Sequence, residues 1–196
     1  MRKSLNADFL SPKELAAIGI ANAASRNILI HRTCVILDFD RLTFGRNVRI
    51  DPYCVITSKS LRLGNYIHIG SGCSLTGGGD ITMGDFSTLS GNVLVFTSSD
   101  DYSGEFMTNP MVPEDYTGVT HDNVHIGRHT VIGARTTILP GAHVEDGVAT
   151  GVNTLVKEPL AGWHIYAGTP ARAIRARKKD CLALEAQLRA AENSGE

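Results

Sequence analysis

VHIGRHTVIGARTTILPGAHVEDGVATGVNTLVK, residues 124–157, decides the fold. Taken in sixes, its lead positions are Ile126, Ile132, Ile138, Val144, Thr150 and Val156, and Gly127, Gly133 and Gly151 follow three of them. Two places before each lead stands a second small or apolar residue: Val124, Thr130, Thr136, Ala142, Val148 and Thr154. A period of six fits neither an amphipathic helix, at about 3.6, nor a simple alternating strand, at about 2. It fits a solenoid in which each hexad is one short, flat side of a triangular coil. The lead residue and the residue two before it then point inward, as alternate residues of a strand do. Three hexads close one coil of roughly 18 residues, and stacked coils share a continuous core.

Working outward towards the N-terminus, the sixes are present but less regular. Phe44, Ile50 and Ile56 lead one run, with Val48 and Cys54 at the inward position before them. The register slips at 60–62, and Leu63, Ile69 and Leu75 then lead, backed by Ile67 and Cys73. Gly77–Gly79 absorb a second slip, after which Met83, Leu89 and Val95 follow. Residues 28–43 are β-rich and are expected to form a first, irregular coil. The end of such a stack exposes core and unpaired edges, so a cap is required. A helix over 11–26 would supply it: Ser11 as N-cap, Pro12 in the first turn and Glu14 completing a capping box. This divides the chain into a helical cap over 1–27, a β-helix over 28–170 and a C-terminal unit over 171–196, the last read as a helix over 171–192 with a stripe of Ala173, Ile174, Cys181, Leu184 and Leu188.

The repeat is broken once, at residues 97–123, TSSDDYSGEFMTNPMVPEDYTGVTHDN. Pro110, Pro113, Gly104 and Gly118 interrupt any regular element there, and three aromatics oppose disorder. Excursions this long inside compact domains are commonly functional. The repeat resumes at Val124 as though nothing had intervened, which places the loop outside the solenoid at one corner.

Nineteen basic against 20 acidic residues give a net charge of −1, which argues against non-specific nucleic-acid binding, since that needs a basic face. No apolar run approaches the roughly 18 residues of a membrane span, and the N-terminus shows no secretory pattern, so a cytoplasmic protein is expected. Cys34, Cys54, Cys73 and Cys181 are scattered, and read as free thiols of a reducing compartment.

The hexads, the single protruding loop and the terminal YAGTPARAIRAR (residues 166–177) together resemble the hexapeptide-repeat acyltransferases, over roughly residues 44–178. The resemblance implies a left-handed parallel β-helix, a homotrimer, and coenzyme A held between two subunits, with acetyl-CoA as acyl donor and a sugar, as a nucleotide or polysaccharide precursor, as acceptor. The general right-handed preference of parallel crossovers would have given the opposite hand. No metal is implied. Matching the family's motifs, Gly133, Ala134, Gly151 and Val152 fall in the coils expected to hold the coenzyme, followed by Gly168 and Arg172, with Arg175 one turn on and Arg177 beyond; guanidinium forks suit its phosphates. Lys157 stands one place from where relatives carry a groove lysine, and Trp163 is a candidate wall of that groove.

Acyl transfer needs a base near the nucleophile, and histidine is the usual choice. The maltose- and galactoside-acetyltransferase branch places it early in the loop, where this chain has only Phe96 to Tyr102 without a histidine. The candidates are therefore His129, with Asp101 or Asp100 folding back to orient it, then His121 and His125. Asp100, Tyr102 and Asn109, with Tyr116, are candidate sugar contacts. Two rival readings share the fold: a zinc enzyme of the carbonic anhydrase kind using His68, His121, His125 and His129, which lacks that family's Gly-His spacing, and a non-catalytic scaffold, which would have no use for the loop.

Overall fold

The computed structural model describes residues 8–194. The start of the chain, on which the reading of a missing secretory pattern partly rests, lies outside the described residues, as do the last two residues of the tail. Parallel strands wind round three faces. The first face stacks seven parallel strands: Ile28–Ile30, Val48–Ile50, Ile67–Ile69, Thr88–Leu89, Val131–Ile132, Ala149–Thr150 and His164–Ala167. Four coils precede the loop and three follow it. No helix is long and apolar enough to cross a membrane among the described residues.

The inward columns are those the period assigns. Ile50, Ile69, Leu89 and Ile132 are fully buried on the first face, Leu75, Val95, Ile138 and Val156 on the second, and Leu61, Ile81, Ile126 and Val144 on the third. Cys54 and Cys73 are also fully buried, and all four cysteines are free thiols. The two slips have one cause. Val55–Leu63 and Ser74–Met83 run continuously round the corner between the second and third faces, and their pairing shifts between Ser58 and Ser60, opposite Gly77–Gly79. The extra residues are absorbed as a bulge. Across the loop the register is unbroken: Val124 pairs with Ile81 and Ile126 with Met83.

Both ends depart from the expected helices. The capping box forms as read, with Ser11 N and Oγ donating to Glu14 Oε2 at 2.8 and 2.7 Å and Glu14 N donating to Ser11 Oγ. The helix, α1, spans only Pro12–Ala17, because Gly19 and Asn22 take left-handed backbone angles and turn the chain back. Leu15, Ile20 and Ala23 still cover the first coil. At the other end, Arg172–Ala176 is not helical. It pairs antiparallel with His164–Ala167 and closes the open edge of the first face. Pairing with an exposed edge overrides the helix preference of an Arg/Ala-rich segment. The C-terminal helix, α2, spans Cys181–Asn193.

The expected apolar stripe does not seat α2, for Leu184 is 63% exposed. Polar groups seat it instead. Glu185 accepts from Arg128 at 2.6 Å, from His129 Nε2 at 2.6 Å and from Arg189 at 2.7 Å, and Arg189 reaches on to Asp85 at 3.1 Å. Beneath it, Tyr66 stacks on Phe86 at 4.7 Å and Phe86 on His129 at 5.0 Å, with Arg189 lying over the Phe86 ring.

Candidate active site

The loop springs from the corner between the second and third faces. Its two ends are tied: Ser98 and Ser99 pair antiparallel with His121 and Thr120. Ser98 Oγ lies 2.6 Å from His121 Nδ1 and also accepts from Gly78 N at 2.6 Å. A side chain at Gly78 would exclude that ring, since its Cβ would lie 2.6 Å from Nδ1. His121 is thus held at the root of the loop, exposed, with its orientation set by Ser98. When Ser98 accepts Nδ1–H, Nε2 is left as the basic nitrogen.

Two cavities flank the first loop residues. One of about 520 Å³ is lined by Phe96, Ser98, Ser99, Asp100, Tyr102, Leu139 and Pro140. The other, about 700 Å³, lies within the loop between Asp100, Tyr102, Phe106, Met107 and Asn109. Asp100 and Tyr102 belong to both walls. The Asp100 carboxylate makes no hydrogen bond or ion pair among the described residues, so the loop presents an uncommitted anion between two cavities. Asn109 lines the outer one, where its side chain accepts from Met111 N at 2.9 Å. Tyr116 lies on the short 3-10 turn Glu114–Tyr116 and is exposed.

Asp101 is differently employed. Its carboxylate accepts from Ser103 N and Oγ, Gly104 N and Phe106 N at 2.7–3.2 Å, and these bonds, first that from the Ser103 hydroxyl, hold its pKa down to about 2. It organises the loop's first turn and does not orient a histidine. Nor is His129 available to it. That ring is 8% exposed, lies under α2 at the corner between the third and first faces, and is engaged by Glu185. The expected pairing of His129 with Asp100 or Asp101 is therefore corrected: the loop does not fold over that corner, and a carboxylate from α2 takes the imidazole.

The residues expected to hold the coenzyme divide. Gly133, Ala134, Gly151 and Val152 lie together at the corner between the first and second faces, Gly133 N donating to Thr150 Oγ1 and Asn153 N to Ala134 O. Gly168 stacks above them, its carbonyl accepting from Leu155 N. In one chain this edge and the loop's edge are separated by the whole second face. Arg172 and Arg175 are exposed on the closing strand, whereas Arg177 is not free for a phosphate: it donates to His129 O at 2.6 Å and Gly147 O at 3.0 Å. Lys157 sits 3.7 Å from Glu158. Trp163 lies flat over Gly147, with Lys179 5.4 Å above its ring.

The histidines of the zinc reading are dispersed. His68 bonds Asp51 at 2.9 Å, His121 bonds Ser98, His125 bonds Thr82 at 2.8 Å and His129 bonds Glu185; no three metal-ligating side chains gather among the described residues. Ser98 was missed by the sequence reading. So was the partnership of His125 and His143, which stack at 4.7 Å; their spacing of one 18-residue coil was the available signal.

Comparison with known proteins agrees with this architecture. The dTDP-4-amino-4,6-dideoxy-D-glucose acyltransferase of Escherichia coli is 33% identical over 179 residues, 90% of this chain and 93% of that protein. A putative lipopolysaccharide biosynthesis O-acetyl transferase of Escherichia coli K12, WbbJ, is 28% identical over 75% of this chain and 78% of its own. Among solved structures, a variant of AntD, an N-acyltransferase from Bacillus cereus, in complex with dTDP-4-amino-4,6-dideoxyglucose and coenzyme A, superposes with a TM-score of 0.88 at 34% identity, covering 94% of this chain and 98% of that one. No family model matches the chain. With this identity along nine-tenths of its length and this left-handed solenoid, the chain belongs to the hexapeptide-repeat sugar acyltransferases.

Proposed function

We propose that the chain transfers an acyl group from a coenzyme A thioester to the amino group of a dTDP-linked amino-dideoxy sugar, at a site completed between the chains of a homotrimer. The observation that carries this reading is the uncommitted Asp100 carboxylate between the two loop cavities. An amino sugar arrives as an ammonium, and a carboxylate without another partner suits it. Asp100 holds the ammonium, receives one proton and leaves the neutral amine facing the thioester. The C–N bond then forms, the C–S bond breaks, and the amine's second proton leaves with the thiol. A hydroxyl acceptor would make a stronger demand for an imidazole base, and the early-loop histidine that meets it in other branches is absent here.

Acetyl-CoA is the donor that the resemblance implies. AntD has also been crystallised with dTDP and 3-hydroxybutyryl-CoA, which admits a short hydroxyacyl donor. The coenzyme is assigned to the Gly133, Ala134, Gly151, Val152 and Gly168 edge, with Arg172 and Arg175 towards its phosphates. Because that edge is remote from the loop of the same chain, a neighbouring chain must bring the two together. Sedimentation should therefore give a trimer.

A second reading rests on the Ser98–His121 contact at 2.6 Å. His121 as base would suit O-acylation, as in the name of WbbJ. Turnover of dTDP-4-amino-4,6-dideoxy-D-glucose against a hydroxyl analogue, followed by thiol release with acetyl-CoA, separates the two. The amine is expected to react, and Asp100→Asn to lose at least about 100-fold in kcat. Reaction of the hydroxyl analogue alone, abolished by His121→Gln and not by Asp100→Asn, would overturn the N-acyl reading.

A further inference from the structure

On the third face, next to the loop's return, the outward side chains of successive coils stand in register: Arg62 beside Thr82, Thr82 beside His125, and His125 beside His143. Neighbouring strands lie about 4.8 Å apart, so these four form one continuous strip. Arg62, Thr82, His125 and His143 line a cavity of about 270 Å³ together with Asn123, Asp80 and Gly141. The two histidines continue into a second cavity of about 440 Å³ that ends at Trp163.

We infer that this strip docks a diphosphate ester, and that the ester is the nucleotide diphosphate of the acceptor, an assignment that rests on the function proposed above. The charges around the strip are unequally satisfied. Arg62 is exposed and has no ion pair or side-chain hydrogen bond among the described residues. The nearby carboxylates each have a donor: Asp80 from Ser60 Oγ at 2.8 Å, Asp122 from Asn123 N at 2.7 Å, Asp146 from Arg128 N at 2.7 Å and Glu145 from Gly162 N at 2.8 Å. Thr82 Oγ1 and His125 Nδ1 bond each other at 2.8 Å, which leaves the Arg62 guanidinium, the His143 ring and Nε2 of His125 as donors for phosphate oxygens. Burial, then the neighbouring His143, holds His125 below its ordinary histidine range, with Asp146 pulling weakly the other way.

The position favours the acceptor over the coenzyme. Gly141 and Ala142 wall this cavity, and the two residues before them, Leu139 and Pro140, wall the cavity that holds Asp100. Asn123 Oδ1 accepts from Asp80 N at 2.8 Å and fixes the loop's return against the strip. A sugar with its amine at Asp100 would thus place its diphosphate across a single turn of chain. The edge assigned to the coenzyme is a different one.

Calorimetry on the full chain tests this with dTDP, thymidine and coenzyme A as titrants. Arg62→Gln is expected to weaken dTDP by about 10-fold to 100-fold and to leave thymidine and coenzyme A unchanged, with Arg62→Lys recovering part of the loss. His125→Gln with His143→Gln should weaken dTDP similarly, and dTDP should shift both imidazole resonances of the unmodified chain in NMR spectra. Equal dTDP affinity in the variants overturns the inference, and a loss confined to coenzyme A reassigns the strip to the donor and overturns it as well. Failure of the unmodified chain to bind dTDP, with continued acylation of a nucleotide-free amino sugar, sinks the inference and the dTDP part of the proposed acceptor but not acyl transfer.

Discussion

Replacing Glu185 by Gln keeps the side chain's volume and one acceptor while removing the charge on which α2 rests. The carboxylate is 9% exposed and meets His129, 8% exposed, at 2.6 Å. A hydrogen bond between such groups contributes about 1.5–3 kcal/mol. The arms to Arg128 and Arg189 add less, because those side chains are 43% and 45% exposed, and pairs at that exposure contribute about 0–1 kcal/mol each. Since Gln retains part of the geometry, a loss of about 2 kcal/mol is expected, confined to the helix, because the solenoid core makes no use of Glu185. That corresponds to about 30-fold faster amide exchange over 181–193, read by mass spectrometry, with the coils unchanged. His129→Ala should produce the same local loss and reduce kcat by less than about 10-fold, where removal of a general base would cost at least about 100-fold. Abolished turnover in His129→Ala with α2 still protected would refute the structural assignment of this histidine. So would Glu185→Gln with unchanged protection of the helix.

Two further outcomes follow from the site and its supports. Asp101 has a pKa held near 2 by four donors, below its ordinary 3.8, so its contribution to loop order is complete above pH 3.8 and is lost as pH falls towards 2; Asp101→Asn should make residues 101–106 more sensitive to protease at neutral pH, and equal cleavage would exclude the role. Gly147 has φ +72°, and a Cβ there would lie 2.3 Å from the Trp163 ring, so Gly147→Ala should lower Tm by several degrees and expose Trp163 fluorescence to quenchers; an unchanged Tm would show the return segment to be loosely packed.

Much of the fold was legible in the hexads because burial in a solenoid is read directly from spacing. Ile126, Ile132, Ile138 and Val144 lie inside wherever the corners fall. The bulge opposite Gly77–Gly79 was likewise visible as a slip in the count. The termini were not, since Arg172–Ala176 carries no strand pattern of its own and is extended because an open edge lies beside it. The same limit applied to His129. Its outward position was legible, but the carboxylate that claims it is 56 residues away on a helix whose seating depends on charge and ring stacking. Asp100 and Asp101 are adjacent and chemically identical, and only the Ser103 hydroxyl and the backbone donors of the next few residues distinguish the structural one from the free one.

The loop's tied root has a further consequence. Val124 pairs with Ile81 as if residues 97–123 were absent, and the short ladder from Ser98 to His121 closes the excursion before it meets the coils. The entropy of closing the segment between is thus met locally, and doubling its length would cost only about 0.6 kcal/mol more. Substitution, lengthening or grafting within residues 102–119 is therefore expected to leave the registration of the stack that carries the loop undisturbed. The corner is thus a place where the chain tolerates variation in length and sequence while its foldability is left alone.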